Sequence, residues 1–216
     1  MYHEISSEKA EGLFVISEES FSRQMTYLAR HRYHVISLGE VVSALEKGTP
    51  FGPKRVVLTF DDGLENHFNI VYPALKRLGL TATFFVVVAS IGKPGYMTWE
   101  EIRQLSTQGF TIGSHGLTHR KLPSLSLEES EKEIIFSKRI LEKRLGREVG
   151  FFCYPGGFVN EAVREKVRQA GFRGACAIRP WNPFPPKDPY TLNRVWITPR
   201  ADSPLIFWLK VSGFTS

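Results

Sequence analysis

The sequence predicts an α/β fold in which a parallel sheet curls into a distorted or incomplete (β/α) barrel. Three observations predict it. Short β-rich runs recur along the 216 residues, and several are apolar throughout, as strands covered on both faces must be. Helix signals stand between them, with hydroxyl residues at the starts and glycines at the stops. The two kinds of segment alternate, strand then helix, and they are too many for a short open sheet.

In order along the chain, a presumed first strand ends at Tyr2-His3. Ser37-Leu38-Gly39-Glu40 has capping-box spacing, in which a hydroxyl and a carboxylate satisfy the first free amides of a helix, and Gly48 marks a stop. Residues 56–60 read as a strand, and a helix after it stops at Gly79. Residues 82–88 form the next strand. Thr98-Trp99-Glu100-Glu101 starts a helix that ends at Gly109, and strand 110–113 follows directly. Ser126-Leu127-Glu128-Glu129 starts the next helix, which ends at Gly146 and leads to strand 151–154. After a stop at Gly171 come strand 174–178, a Pro-rich loop over 180–189 and a last strand over 195–197. The apolar segment 205–211 reads as a helix closing the barrel, with contact to a membrane surface as a secondary role. No linker, repeat or low-complexity tract divides the chain, so residues 1–216 read as one catalytic domain.

Composition narrows the partners. Hydrophobic residues make up 42% and charged residues 23%, as in an ordinary folded protein. The net charge of +6 comes from Lys and Arg interspersed with Glu, as in 128–147. That pattern reads as solvated helix faces and not as a nucleic-acid patch. Cys153 and Cys176 each sit in an apolar run and read as buried free thiols. Met1-Tyr2-His3-Glu4-Ile5 has no basic-then-apolar leader pattern, and no stretch approaches ~20 apolar residues. The expectation is a cytoplasmic protein, with a trimmed form of an exported chain as the alternative.

The chemistry is concentrated in two short strings. Thr59-Phe60-Asp61-Asp62-Gly63 ends one predicted strand, and Ser114-His115-Gly116-Leu117-Thr118-His119 follows another. Strand carboxyl ends are where such folds gather reactive groups. Neighbouring residues of a strand face opposite ways, so Asp61 and Asp62 converge only because the strand ends there. An Asp-Asp-Gly string is also ordinary turn chemistry. His115 and His119, four residues apart, suit one metal ion if they lie on a helical turn. One carboxylate with two imidazoles makes a metal site with open positions, and the second carboxylate is then free to act as a base. That equipment points to metal-assisted hydrolysis with a divalent metal, zinc first.

With these strings in hand, the chain resembles the polysaccharide deacetylase family, the NodB-homology domain. The two strings match its first two motifs, and the likeness extends to Tyr2-His3, Ala82-Thr83-Phe84-Phe85, Met97-Thr98-Trp99 and Tyr154-Pro155-Gly156. The resemblance implies a distorted (β/α) barrel and metal-dependent removal of N-acetyl groups from N-acetylglucosamine units. It implies Asp61 as general base, Asp62, His115 and His119 as metal ligands, a backbone amide near Tyr154 as an oxyanion donor, and Pro155 as a substrate-binding residue.

The chain departs from the family pattern in three places. No Arg precedes the Pro-Gly segment, where Phe151-Phe152-Cys153-Tyr154 stands. No Asp-rich fourth motif with its Trp is present, although Trp181 and Trp196 are candidates to wall the acetyl pocket. No histidine follows His119, so the family's usual general acid is missing. Arg194 is the candidate replacement for the absent Arg, and His3 for the absent acid. His31, His34 and His67 read as structural or surface residues. The expected partner is a carbohydrate substrate; two other readings are a hydrolase of small amides or cyclic imides on this fold and a catalytically weak carbohydrate-binding protein.

Overall fold

The computed structural model describes residues 1–7, 12–178 and 187–213. Two short strands, β1 (Glu4–Ser6) and β2 (Val15–Ser17), pair in parallel at the start. Helix α1 (Glu18–Arg30) follows. The Ser17 side chain caps it by accepting from the Ser20 amide, and Phe21, Met25 and Leu28 form its buried stripe. β3 (His34–Val35) and β4 (Arg55–Val56) make a second parallel pair, connected through α2 (Leu38–Glu46).

The main sheet comprises β5 (Thr59–Phe60), β6 (Thr83–Val86), β7 (Thr111–Ser114), β8 (Phe151–Cys153), β9 (Gly174–Ala177) and β10 (Leu192–Asn193). All are parallel, and each lies beside the next in sequence. Helices α3 (Tyr72–Arg77), α4 (Trp99–Thr107), α5 (Leu127–Leu145) and α6 (Glu161–Gln169) occupy the crossovers from β5 to β9 in turn. Crossovers that always step the same way curl a sheet toward a barrel. Residues 1–2 bridge its two edges. The Tyr2 amide donates to the Thr59 carbonyl at 2.9 Å, and the Ile197 amide donates to the Met1 carbonyl at 3.1 Å. The incomplete parallel barrel expected from the sequence is thus present, with two residues filling the gap.

Three expected strands differ. The first strand does not end at Tyr2-His3: Tyr2 makes a single bridge to Phe60, and β1 begins only at Glu4, because the carbonyls and amides of residues 1–2 are taken by the edges of the main sheet. Residues 56–60 split, because Val56 pairs with β3 while Thr59 and Phe60 belong to the main sheet. Residues 195–197 are not a strand. The last strand is Leu192–Asn193, and the segment after it bonds to Met1 instead of to a ladder. The three capping boxes, at Ser37, Thr98 and Ser126, all form with both reciprocal hydrogen bonds. Much of the Pro-rich stretch, including Trp181, lies outside the described residues.

Strand alternation sorts the core into two clusters. Phe84, Val86, Phe152, Ala175 and Ala177 face the main cluster, with α1 and the crossover helices. Phe85, Phe151, Cys153, Cys176 and Leu192 face the other way and pack with Leu38 and Val42 of α2. Gly113 is required where β7 passes Phe85: a Cβ there would sit 2.4 Å from the ring. Cys153 and Cys176 are free and buried. The closing helix, α7 (Pro204–Val211), sets Phe207 against Tyr27 of α1 and leaves Leu205 and Trp208 exposed. Among the described residues no helix is long and apolar enough to cross a membrane.

Candidate active site

The site is assembled at the carboxyl ends of β5 and β7 and beyond the end of β10. At the first, the Asp61 amide donates to the Tyr2 carbonyl at 3.0 Å, and the chain then turns sharply. Asp62 has φ 75° and Gly63 φ 76°, two left-handed residues in succession. A non-glycine residue in that region is uncommon and is held by its surroundings. The turn directs the two carboxylates of adjacent residues to separate tasks.

Asp62 faces the histidines. Its Oδ1 lies 3.5 Å from His115 Nε2 and 3.4 Å from His119 Nε2. The His115 Nδ1–H donates to the Cys153 carbonyl at 2.8 Å, which leaves Nε2 with its lone pair toward Asp62. Burial pushes the His115 pKa down, against the pull of Asp61, and keeps the ring neutral. A carboxylate oxygen and an unprotonated imidazole nitrogen facing each other are two acceptors without a donor. A divalent cation satisfies both, so Asp62, His115 and His119 fit a metal ion on their own chemistry. His119 has φ 63° and is part exposed, which leaves the outer side of the site open.

The loop that carries the histidines is clamped from behind. Glu133 on α5 accepts from the Leu117 amide at 2.9 Å, the Thr118 amide at 2.8 Å and the Thr118 hydroxyl. Ser114 accepts from the Gly116 amide at 3.1 Å and donates to Ser137 of α5 at 2.7 Å. Glu133 was not singled out from the sequence, yet a signal exists. It shares the buried face of α5 with Ser130, Ile134, Ser137 and Leu141, where an unpartnered carboxylate would be costly.

Asp61 points inward to Arg194. Both Asp61 oxygens accept from the guanidinium, Oδ1 from Nη1 and Oδ2 from Nη2, each at 2.7 Å. The side chains are 3% and 7% exposed. Burial would raise the Asp61 pKa, but the charge and hydrogen bonds of Arg194 outweigh it and hold the carboxyl well below the usual range. Arg194 also donates to the Thr59 hydroxyl at 3.1 Å and lies over the Phe85 ring at 5.6 Å. Cys153, also not singled out as part of the site, sits 3.0 Å from Arg194 Nη2. Asp61, His115 and Cys153 form a second group of converging ligand atoms. It is fully buried, its carboxylate is already neutralised by Arg194, and burial pushes the Cys153 thiol up, so the Asp62 group is the better metal site.

His3 lies beside the pair, Nε2 at 4.0 Å from Asp61 Oδ2. Burial lowers its pKa, with Asp61 pulling the other way. Its carbonyl accepts from His67 Nε2 at 2.6 Å, so the buried His67 positions the segment that carries it. Trp196 packs near His3, ring centroids 6.4 Å apart. The Tyr154 amide itself is not available as the oxyanion donor. The Tyr154 amide donates to the Cys176 carbonyl at 3.1 Å, within the sheet, and the hydroxyl donates to the Tyr190 carbonyl at 3.1 Å. A residue that continues the β8–β9 ladder spends its amide there. Pro155 is buried beside Gly116, and Trp181 lies outside the described residues. His31 and His34 are exposed, at the end of α1 and in β3.

Comparison with known proteins places this geometry. The family model described as polysaccharide deacetylase matches residues 48–175, which include both acidic and histidine strings. A peptidoglycan-N-acetylglucosamine deacetylase of Bacillus cereus is 28% identical over 155 residues, 71% of this chain and 66% of that protein. A poly-beta-1,6-N-acetyl-D-glucosamine N-deacetylase of Staphylococcus aureus is 24% identical, with 93% of this chain and 74% of the relative covered. The Streptococcus pyogenes deacetylase PplD, solved in complex with acetate, shares the fold with a TM-score of 0.85 at 23% identity, covering 95% of each chain. With more than half its length matched by the family model, and with the two motifs converging at the strand ends, the chain belongs to the polysaccharide deacetylase family.

Proposed function

We propose that this protein hydrolyses the N-acetyl groups of an N-acetylglucosamine-containing polysaccharide, with zinc held by Asp62, His115 and His119. The observation that carries the reading is the division of labour between adjacent carboxylates: Asp62 Oδ1 faces two imidazole nitrogens at 3.4–3.5 Å, while Asp61 is held ionised by Arg194. Two nitrogens and one oxygen suit zinc and leave a coordination position open. When bound, the cation polarises the acetamide carbonyl and lowers the pKa of water to ~7.

The chain's own groups move the protons. Asp61 is ionised at neutral pH and accepts a proton from the attacking water. Paired with Arg194 it holds that proton weakly and passes it on. His3 Nε2, 4.0 Å away, is the acceptor we assign. His3 then donates to the leaving nitrogen as the C–N bond breaks, so amide and water become acetate and amine. Arg194 supplies the guanidinium that the family pattern places before the Pro-Gly segment, and reaches Asp61 from beyond β10. Trp196 is assigned to the substrate side of the site, beside His3.

The test is metal content together with acetate release from N-acetylglucosamine oligosaccharides. The wild type should bind one zinc and release acetate, and His115→Ala/His119→Ala should lose both. Stoichiometric zinc in the double variant would remove the assigned site.

A further inference from the structure

Phe14 and Trp196 form an exposed ring pair at the edge of the site. Phe14 is 42% exposed and Trp196 38% exposed. Their centroids are 4.9 Å apart at 74°, an edge-to-face packing that leaves ring surface to solvent. Single exposed hydrophobics are ordinary, but two large aromatics packed together in water are not. Both touch His3, at 5.0 Å and 6.4 Å, and His3 in turn lies 4.0 Å from Asp61. The pair is therefore continuous with the proposed reaction centre.

The backbone fixes it there. The Glu4 amide donates to the Phe14 carbonyl at 3.2 Å, which sets the Phe14 segment beside the first strand. On the other side, the Ile197 amide donates to the Met1 carbonyl, which sets Trp196 beside the residues that lead into that strand. Segments about 180 positions apart in sequence thus present aromatic rings on both flanks of His3. Neither ring is needed to fill the core, since the buried clusters form without them.

We infer that Phe14 and Trp196 are a stacking platform for the sugar ring next to the residue being deacetylated, and that they set the preference for chains over single sugars. This rests on the carbohydrate reading above. A pyranose ring presents an apolar C–H face with polar groups around its rim, and an aromatic face covers that patch while the rim stays in water. The platform is only two rings wide, far below what a protein partner needs.

The experiment is calorimetric titration of zinc-loaded protein with N-acetylglucosamine and its tetramer, β-1,4- and β-1,6-linked. Acetate release is measured separately on the wild type, so failure of the deacetylase reading shows there and not in the binding data. The tetramer should bind the wild type more tightly than the monomer. In Phe14→Ala/Trp196→Ala that advantage should shrink about tenfold. Phe14→Tyr, which keeps a ring, should retain it, and Phe14→Ala alone carries the test if the double variant does not fold. Equal tetramer affinity in the wild type and in a folded Ala variant, or no tetramer binding to the wild type, overturns the platform. So does loss of sedimentation with anionic phospholipid vesicles in place of any sugar effect, which would give the rings to a membrane surface.

Discussion

At the scale of single residues, Arg194 decides the state of Asp61. The ion pair is buried and bidentate, so removing one partner leaves an uncompensated charge. Arg194→Ala should cost about 3–5 kcal/mol of stability in denaturant unfolding. Arg194→Lys keeps the charge but not the fork, so Asp61 loses a hydrogen bond and its pKa rises. The acid limb of the pH–rate profile should then move to higher pH; an unmoved limb would show that Asp61 is not the titrating base. His3 makes a second prediction. His3→Ala should lower kcat by about 10²–10⁴-fold with zinc content unchanged, because the proton path to the leaving nitrogen is cut. A variant with wild-type kcat would make His3 structural. The convergence of Asp62, His115 and His119, and the place of Asp61 beside them, were legible because their strings have specific spacing. Arg194 was legible only as a candidate, since nothing local in Leu192-Asn193-Arg194-Val195 shows that a guanidinium crosses to β5. Glu133 and Cys153 were not legible as site residues, because each acts through long-range packing.

At the scale of elements, helix ends were the most legible feature and strand ends the least. Capping boxes are local chemistry, and all three formed where hydroxyl and carboxylate stood three apart. Strand limits depend on neighbours far away in sequence. Residues 56–60 look continuous, yet serve two different sheets. Residues 195–197 are apolar and β-rich, yet Met1 takes their hydrogen bonds. The π-helical turn His67–Val71 carries a buried residue with a titration signature. His67 sits fully buried, and desolvation lowers its pKa from the ordinary 6.5 to about 4, against its bond to the His3 carbonyl. Folding therefore favours the neutral ring. That contribution is complete above pH 6.5 and is lost as pH falls toward 4, a difference on the order of 3 kcal/mol. The unfolding temperature of the wild type should fall more steeply from pH 7 to 4 than that of His67→Gln. Parallel slopes would mean that His67 accepts its proton in the folded state.

At the scale of the molecule, the sheet order and the closure place every proposed reactive group at one mouth. Asp61 and Asp62 leave β5, His115 and His119 leave β7, Arg194 follows β10, and His3 lies in the segment that bridges the gap. The barrel was readable from the alternation of segments, but its closure by Met1 and Tyr2 was not, since two residues make no periodic signal. The same closure brings the segment after β10, and with it Arg194 and Trp196, beside the first residues of the chain. The central claim is that this mouth is a metal-dependent N-deacetylase site. It is tested most directly by acetate release from the N-acetylglucosamine tetramer, measured with the zinc-loaded protein, after chelation and after zinc is returned. The expected result is release that stops on chelation and recovers with zinc. Release that persists in the chelated protein, or none from the loaded protein, would contradict it.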